Sequence, residues 1–161
     1  MPSRGLLRLL SAIVFSFFAA ASANAENIIG QASVIDGDTI EIQGQRIRLY
    51  GIDAVESGQH CVRGGAVWYC GRDSAFALAD RIGRAAIDCR GREFDRYGRL
   101  VAVCFKGAED LNRWMVEQGW AVAYRRYGMD YAAAEDAARA AGRGLWSASF
   151  EMPWEWRKKN R

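Results

Sequence analysis

Residues 34–56 read VIDGDTIEIQGQRIRLYGIDAVE, where β-branched and aliphatic side chains alternate with polar ones around two turn signals. Asp36-Gly37 suits a tight hairpin because both positions tolerate positive φ, and Gln43-Gly44-Gln45 marks a second turn. With a weakly alternating run over residues 27–35, the pattern predicts strands over 27–35, 39–42 and 46–52 that follow one another as a meander. The alternation then lapses. Residues 57–65 are polar and glycine-rich and read as an exposed loop.

A helical period replaces the strand period further on. Ala75, Leu78, Ala79 and Ile82 share one face of a predicted helix over residues 74–81, with Asp73 as its cap and Gly83 past its end. Two strands should follow, over residues 85–90 and 99–105, joined by a polar turn at 92–98. A second helix is expected over 110–118, with Leu111, Trp114 and Met115 inward and Gly119 beyond it. Residues 120–124 read as a short extended piece. A third helix, capped by Asp130 and running to about residue 141, is alanine-rich and needs packing from Tyr131, Ala134 and Ala138. Phe150, Trp154 and Trp156 read as aromatics sealing a core edge, and the basic run from residue 156 to 161 as a solvated end. The expected fold is α+β: a five-stranded barrel of OB type with about three α-helices.

The first 25 residues stand apart from this pattern. Arg4 and Arg8 precede an uncharged apolar run over residues 9–21, and Ala23-Asn24-Ala25 closes it with small side chains. That is the layout of a secretory signal peptide cleaved after Ala25, and the run is short for a full membrane span. The expected mature chain, residues 26–161, is then a single domain without a stable membrane anchor, read as a monomer in the periplasm or the medium. At 161 residues, half of them hydrophobic, the chain is long enough for a real core. Its 22 Lys and Arg face 19 Asp and Glu. Without Arg4 and Arg8 the balance is nearly even, so attraction to a polyanion has to be local.

Four cysteines, Cys61, Cys70, Cys89 and Cys104, fit two disulfides in an exported chain. Three pairings are possible; Cys61–Cys70, closing a loop, and Cys89–Cys104, joining two strands, are favoured. No CxxC pair exists, which argues against zinc and against a thioredoxin-like redox site. His60 is the only histidine and reads as a surface residue.

The predicted meander carries Asp38, Arg48, Asp53 and Glu56. Hard oxygen ligands beside a planar cation are the parts of a metal-assisted phosphoryl-transfer site. A second cluster, Asp95-Arg96-Tyr97-Gly98-Arg99, adds another guanidinium at a strand start.

Taken in order, IDGDT at 35–39, RLYGIDAVE at 48–56, DRYGR at 95–99 and the later Gly144-Leu145-Trp146 resemble the staphylococcal nuclease family over nearly all the mature chain. The resemblance implies an OB-fold nuclease that uses one Ca2+ ion to hydrolyse DNA and RNA, leaving 3′-phosphate ends. By that likeness Asp38 and Asp53 are calcium-binding carboxylates, and Ala54 offers the metal its backbone carbonyl. Glu56 corresponds to the carboxylate that activates water, and Arg48 and Arg99 to the arginines that hold the phosphate. Arg96 and Tyr97 match the pair that contacts a terminal phosphate. Tyr124 matches a tyrosine lining the site, with Tyr127 a looser counterpart of a second. The sequence departs from the family where Thr-Pro usually precedes the glutamate: here Ala54-Val55 stands instead, which implies a weaker calcium site. Some relatives on this fold lack the charged set and act as binding or scaffold modules, so a non-catalytic module for nucleic acid or oligosaccharide is the alternative expectation.

Overall fold

The computed structural model describes residues 26–160, so the expected signal peptide lies outside the described residues. The meander forms as β1 (Asn27–Asp36), β2 (Thr39–Ile42) and β3 (Gln45–Leu49), all antiparallel. Two turns make it, for different reasons. Gln43 and Gly44 both adopt positive φ, 52° and 81°, as a two-residue hairpin turn requires. Gly37 does not. It is needed for space, because a Cβ there would come within 2.1 Å of the Ser74 hydroxyl and 2.8 Å of the Ala54 side chain.

A short strand, β4 (Ile52–Ala54), leads into the segment read as an exposed loop, and here the structure corrects the expectation. The segment contains a hairpin, β5 (Cys61–Arg63) with β6 (Ala66–Trp68), and Gln59 within it is buried. Its apolar side comes from Val55, Cys61, Cys70 and Leu145, packed with Trp68 and Phe150 into a small second core. Helix α1 (Cys70–Ile82) starts four residues earlier than the periodicity predicts. Asp73 does not cap it; the Asp73 carboxylate accepts the Trp68 indole N–H at 2.8 Å instead. Gly83, at φ 57°, ends the helix as expected.

The barrel is completed by β7 (Ala86–Phe94) and β8 (Leu100–Lys106), antiparallel to each other, with β7 on β1 and β8 running parallel to β3. The strand order β3-β2-β1-β7-β8 thus closes on itself and removes both sheet edges. Inward-facing Ile40, Ile42, Ile47, Leu49, Ile87, Leu100 and Ala102 fill it. β7 extends four residues further than predicted, leaving only residues 95–99 as the turn. Cys89 and Cys104 sit directly opposite on β7 and β8. Both favoured disulfides, Cys61–Cys70 and Cys89–Cys104, are present.

A two-residue strand, β9 (Glu109–Asp110), precedes α2 (Leu111–Glu117), whose first turn is capped by the Asp110 carboxylate accepting the Arg113 N–H at 2.9 Å. Then β10 (Ala121–Ala123) pairs with β4, and α3 (Ala132–Ala140) covers the barrel end. Asp130 was expected to cap α3, but its carboxylate faces the Tyr50 hydroxyl and the helix has no side-chain cap. The largest departure comes last. The basic tail is not merely a solvated end: residues Pro153–Lys159 form a fourth helix, α4, docked near β4. No helix among the described residues is long and apolar enough to cross a membrane.

Candidate active site

Arg48 is the hinge of the site. It stands opposite Thr39 in the β2–β3 pair, and its guanidinium reaches Asp38 on one side and Asp53 on the other. Asp38 occupies the turn between β1 and β2, where its carboxylate accepts the Ala54 N–H at 2.6 Å and the Thr39 hydroxyl at 3.1 Å. Asp53 is fully buried on β4, and Arg48 donates to its Oδ1 at 2.8 Å. Burial disfavours charge on Asp38, yet the Arg48 guanidinium and the Ala54 N–H outweigh it and hold the carboxyl below the usual range. Burial likewise works against the charge on Arg48, but the two aspartates more than restore it and raise its pKa further. A buried charge is tolerable only when paired in this way.

Glu56 stands at the edge of this cluster and is held by its backbone. Its N–H donates to Gln59 Oε1 at 3.3 Å and its carbonyl accepts the Gln59 N–H at 2.7 Å, while Gln59 Nε2 donates to the Glu151 carbonyl at 2.6 Å. The start of α1 packs on the same backbone: a Cβ on Gly71 would lie 1.8 Å from the Glu56 carbonyl oxygen. Val55, where the family usually has proline, is 1% exposed in the small second core. Packing therefore supplies a restraint at the position where the ring is missing.

Two residues of the acid cluster were not legible beforehand. Asp36, read only as a turn residue, accepts the Asp38 N–H at 3.1 Å, and burial together with the Asp38 charge pushes its carboxyl up to about 7. Arg157 of α4 donates to both Asp53 oxygens, at 3.0 and 2.7 Å, and to Glu56 Oε1 at 2.7 Å. Burial opposes its charge, and the bonds from Asp53 and Glu56 reverse that, so its pKa rises. The one available signal was charge: three carboxylates at a single guanidinium need another cation, and the tail carried an unassigned basic run.

Beyond Arg48 lies a cleft of about 100 Å³ lined by Arg48, Tyr50, Arg99, Tyr124 and Tyr127, with Glu93 and Asp95 at its rim. Arg99 is oriented by Asp95, whose carboxylate accepts its side chain at 2.8 Å and its backbone N–H at 3.0 Å. Tyr124 is placed by its N–H to the Gly51 carbonyl, and its ring lies 5.0 Å from that of Tyr127 and 5.7 Å from that of Trp154. Of the expected residues, the structure brings Asp38, Arg48, Asp53, Ala54 and Glu56 together on the acid side. Arg48, Arg99 and Tyr124 meet in the cleft, with Tyr127 beside them. Arg96 and Tyr97 stay on the exposed β7–β8 turn, bonded to each other at 2.7 Å, and do not line the cleft.

The donor set suits a hard divalent ion, since two carboxylates meet on one cation and a third is one guanidinium away. Among the described residues, no three His, Cys, Asp or Glu side chains already stand as a metal cage. The oxygens nearest to one are held by arginine. The set fits calcium if Arg157 yields its place.

A closed barrel with two arginines at a small cleft and a buried acid cluster behind them defines an α+β protein of OB type with a charged site. Comparison with known proteins assigns the family. The family model described as staphylococcal nuclease homologue matches residues 46–148. The succinoglycan biosynthesis protein ExoI of Rhizobium meliloti is 42% identical over 92% of this chain and 78% of its own length. A micrococcal nuclease of Shigella flexneri is 34% identical over 80% of this chain and 79% of its own, and an uncharacterized endonuclease of Haemophilus influenzae is 29% identical over 100% and 89%. The chain belongs to the staphylococcal nuclease family.

Proposed function

We propose that this protein is an exported, calcium-dependent nuclease that hydrolyses phosphodiester bonds of DNA and RNA to 3′-phosphate products. The observation that carries this reading is the position of Arg48, whose guanidinium borders the cleft shared with Arg99 and also holds the buried acid cluster. A phosphodiester seated there has its non-bridging oxygens facing two planar, always-charged donors, which favour the charge that builds up as the bond breaks. Glu56, one Arg157 contact away from Asp53, is the group that accepts the proton of the attacking water. Asp38, Asp53 and the Ala54 carbonyl are the groups that would hold the Ca2+ ion, which supplies further charge neutralisation when bound. Arg96 and Tyr97, on the exposed β7–β8 turn outside the cleft, are the pair that contacts a terminal phosphate, and Tyr124 lines the substrate. Export fits the two disulfides and the leader-like first 25 residues.

The test is release of acid-soluble nucleotides from single-stranded DNA, with calcium and with chelator, by the chain from Glu26 onward. Calcium-dependent release, abolished in Arg48→Lys and much reduced in Glu56→Gln, is the expected result. A folded, oxidised sample that releases nothing sinks the nuclease reading.

A second reading, a non-catalytic module serving polysaccharide assembly in the envelope, is favoured by the likeness to ExoI and by the occupation of Asp53 and Glu56 by Arg157. Calcium-induced thermal stabilisation separates the two, because a ligand of the folded state raises the melting temperature by mass action. Absence of any shift at millimolar calcium favours the second.

A further inference from the structure

We infer that Arg157 is the resident cation of the acid cluster, and that a divalent ion and the C-terminal helix compete for Asp53 and Glu56. The inference rests on the nuclease reading only in taking those two carboxylates as the ones that serve the ion and the water. Three observations carry it. Arg157 donates to both oxygens of a fully buried aspartate and to one oxygen of Glu56, so an ion that takes those atoms has to displace it. The charges count the same way: Asp38, Asp53 and Glu56 carry three negative charges against the two positive charges of Arg48 and Arg157. Replacing Arg157 by a divalent ion makes the cluster neutral, so the exchange is electrostatically balanced. The arm is also short. Helix α4 is only seven residues long, and it meets the site through Arg157, through β4 and through the Trp154 ring on Tyr124.

Arg157 therefore sets the calcium affinity of the site, and the helix lifts when the ion binds. The exchange breaks and forms no covalent bond. Its test needs no turnover: titration calorimetry with calcium chloride on the protein and on Arg157→Gln, and amide hydrogen exchange over residues 153–159 with and without calcium. Arg157→Gln is expected to bind calcium at least tenfold more tightly, with Arg157→Lys in between. In chelator, Arg157→Gln should melt lower than the parent, because Asp53 loses a partner, and calcium should recover the difference. In the unmodified protein, saturating calcium should speed exchange in α4 and leave the barrel strands unchanged. Equal affinity in all three proteins, no calcium uptake by any of them, or α4 protection indifferent to calcium overturns the inference. The exchange measurement stands even if a variant fails to fold. Calcium-dependent nucleotide release with an affinity indifferent to residue 157 sinks this inference alone. Residue-157-dependent calcium binding without nucleotide release sinks the nuclease reading alone.

Discussion

The two sides of Arg48 are built on opposite plans. On the acid side, Asp38 and Asp53 are 5% and 0% exposed and their oxygens are satisfied by the Ala54 N–H, a hydroxyl and two guanidiniums. On the cleft side, Arg99 has Asp95 as its partner on an exposed turn, and Tyr127 is 63% exposed. One side is preorganised and sealed; the other is open and adaptable. Preorganised charge inside a low-dielectric site is worth far more than the same charge in water, so the sealed side sets the strength of the site and the open side admits what enters it.

The comparison breaks most severely at Arg48 itself. Arg48→Lys keeps the charge but cannot bridge Asp38, Asp53 and a phosphate at once. Nucleotide release should fall by about 10²–10³-fold, the scale of losing one preorganised donor, or roughly 3–4 kcal/mol of barrier. Steady-state rates on single-stranded DNA check it, and a loss of less than tenfold would mean the two sides are not coupled through this residue.

Gly71→Ala strikes the sealed side without touching a charge. The added methyl meets the Glu56 carbonyl, a backbone atom that cannot swing away. We expect destabilisation of about 1–3 kcal/mol and a fall in kcat, read from thermal melts and single-turnover rates. An unchanged melting temperature would show that the backbone around Glu56 is slack.

Trp154→Ala sharpens the contrast from the open side. Aromatic pairs contribute about 0.5–1.5 kcal/mol beyond area burial, so losing the Trp154–Tyr124 contact should loosen α4 and leave the barrel intact. Faster hydrogen exchange confined to residues 153–159 is the expected signature.

The smallest effect is at Asp95. Burial pushes its carboxyl up, but the Arg99 and Tyr97 N–H groups and the Arg99 guanidinium outweigh it and hold it below its ordinary 3.8. The folded state therefore binds this proton less readily than the unfolded chain. Its stabilisation is complete above about pH 4 and is lost as pH falls through the depressed folded value. Asp95→Asn should remove a few tenths to about 1 kcal/mol at neutral pH and less in acid. Chemical denaturation at pH 7 and pH 3 checks it; an equal loss at both would mean that the pairing with Arg99 contributes nothing.

Much of this molecule was legible locally. Period-two alternation with Gly44 at a positive φ fixed the meander, and with it the juxtaposition of Asp38 and Arg48, because cross-strand neighbours follow from register. The two favoured cysteine pairs, one closing a loop and one joining two strands, are the ones that form. Helix starts were less legible: Asp73 and Asp130 look like caps, but tertiary partners, the Trp68 indole and the Tyr50 hydroxyl, claimed their carboxylates. Gln59 was read as loop because polar residues usually are; it is buried because it alone ties the Glu56 backbone to Glu151.

The sequence by itself therefore determined the barrel, its charged motifs and the chemistry those motifs suit, all of which depend on neighbours a few residues apart or one strand away. Only the tertiary structure decided the state of the acid cluster. Asp53 and Arg157 are 104 residues apart, and no local pattern encodes which cation a buried carboxylate will find. That choice is made by the desolvation of Asp53 on β4, which demands a partner, and by the packing that swings α4 close enough to supply one.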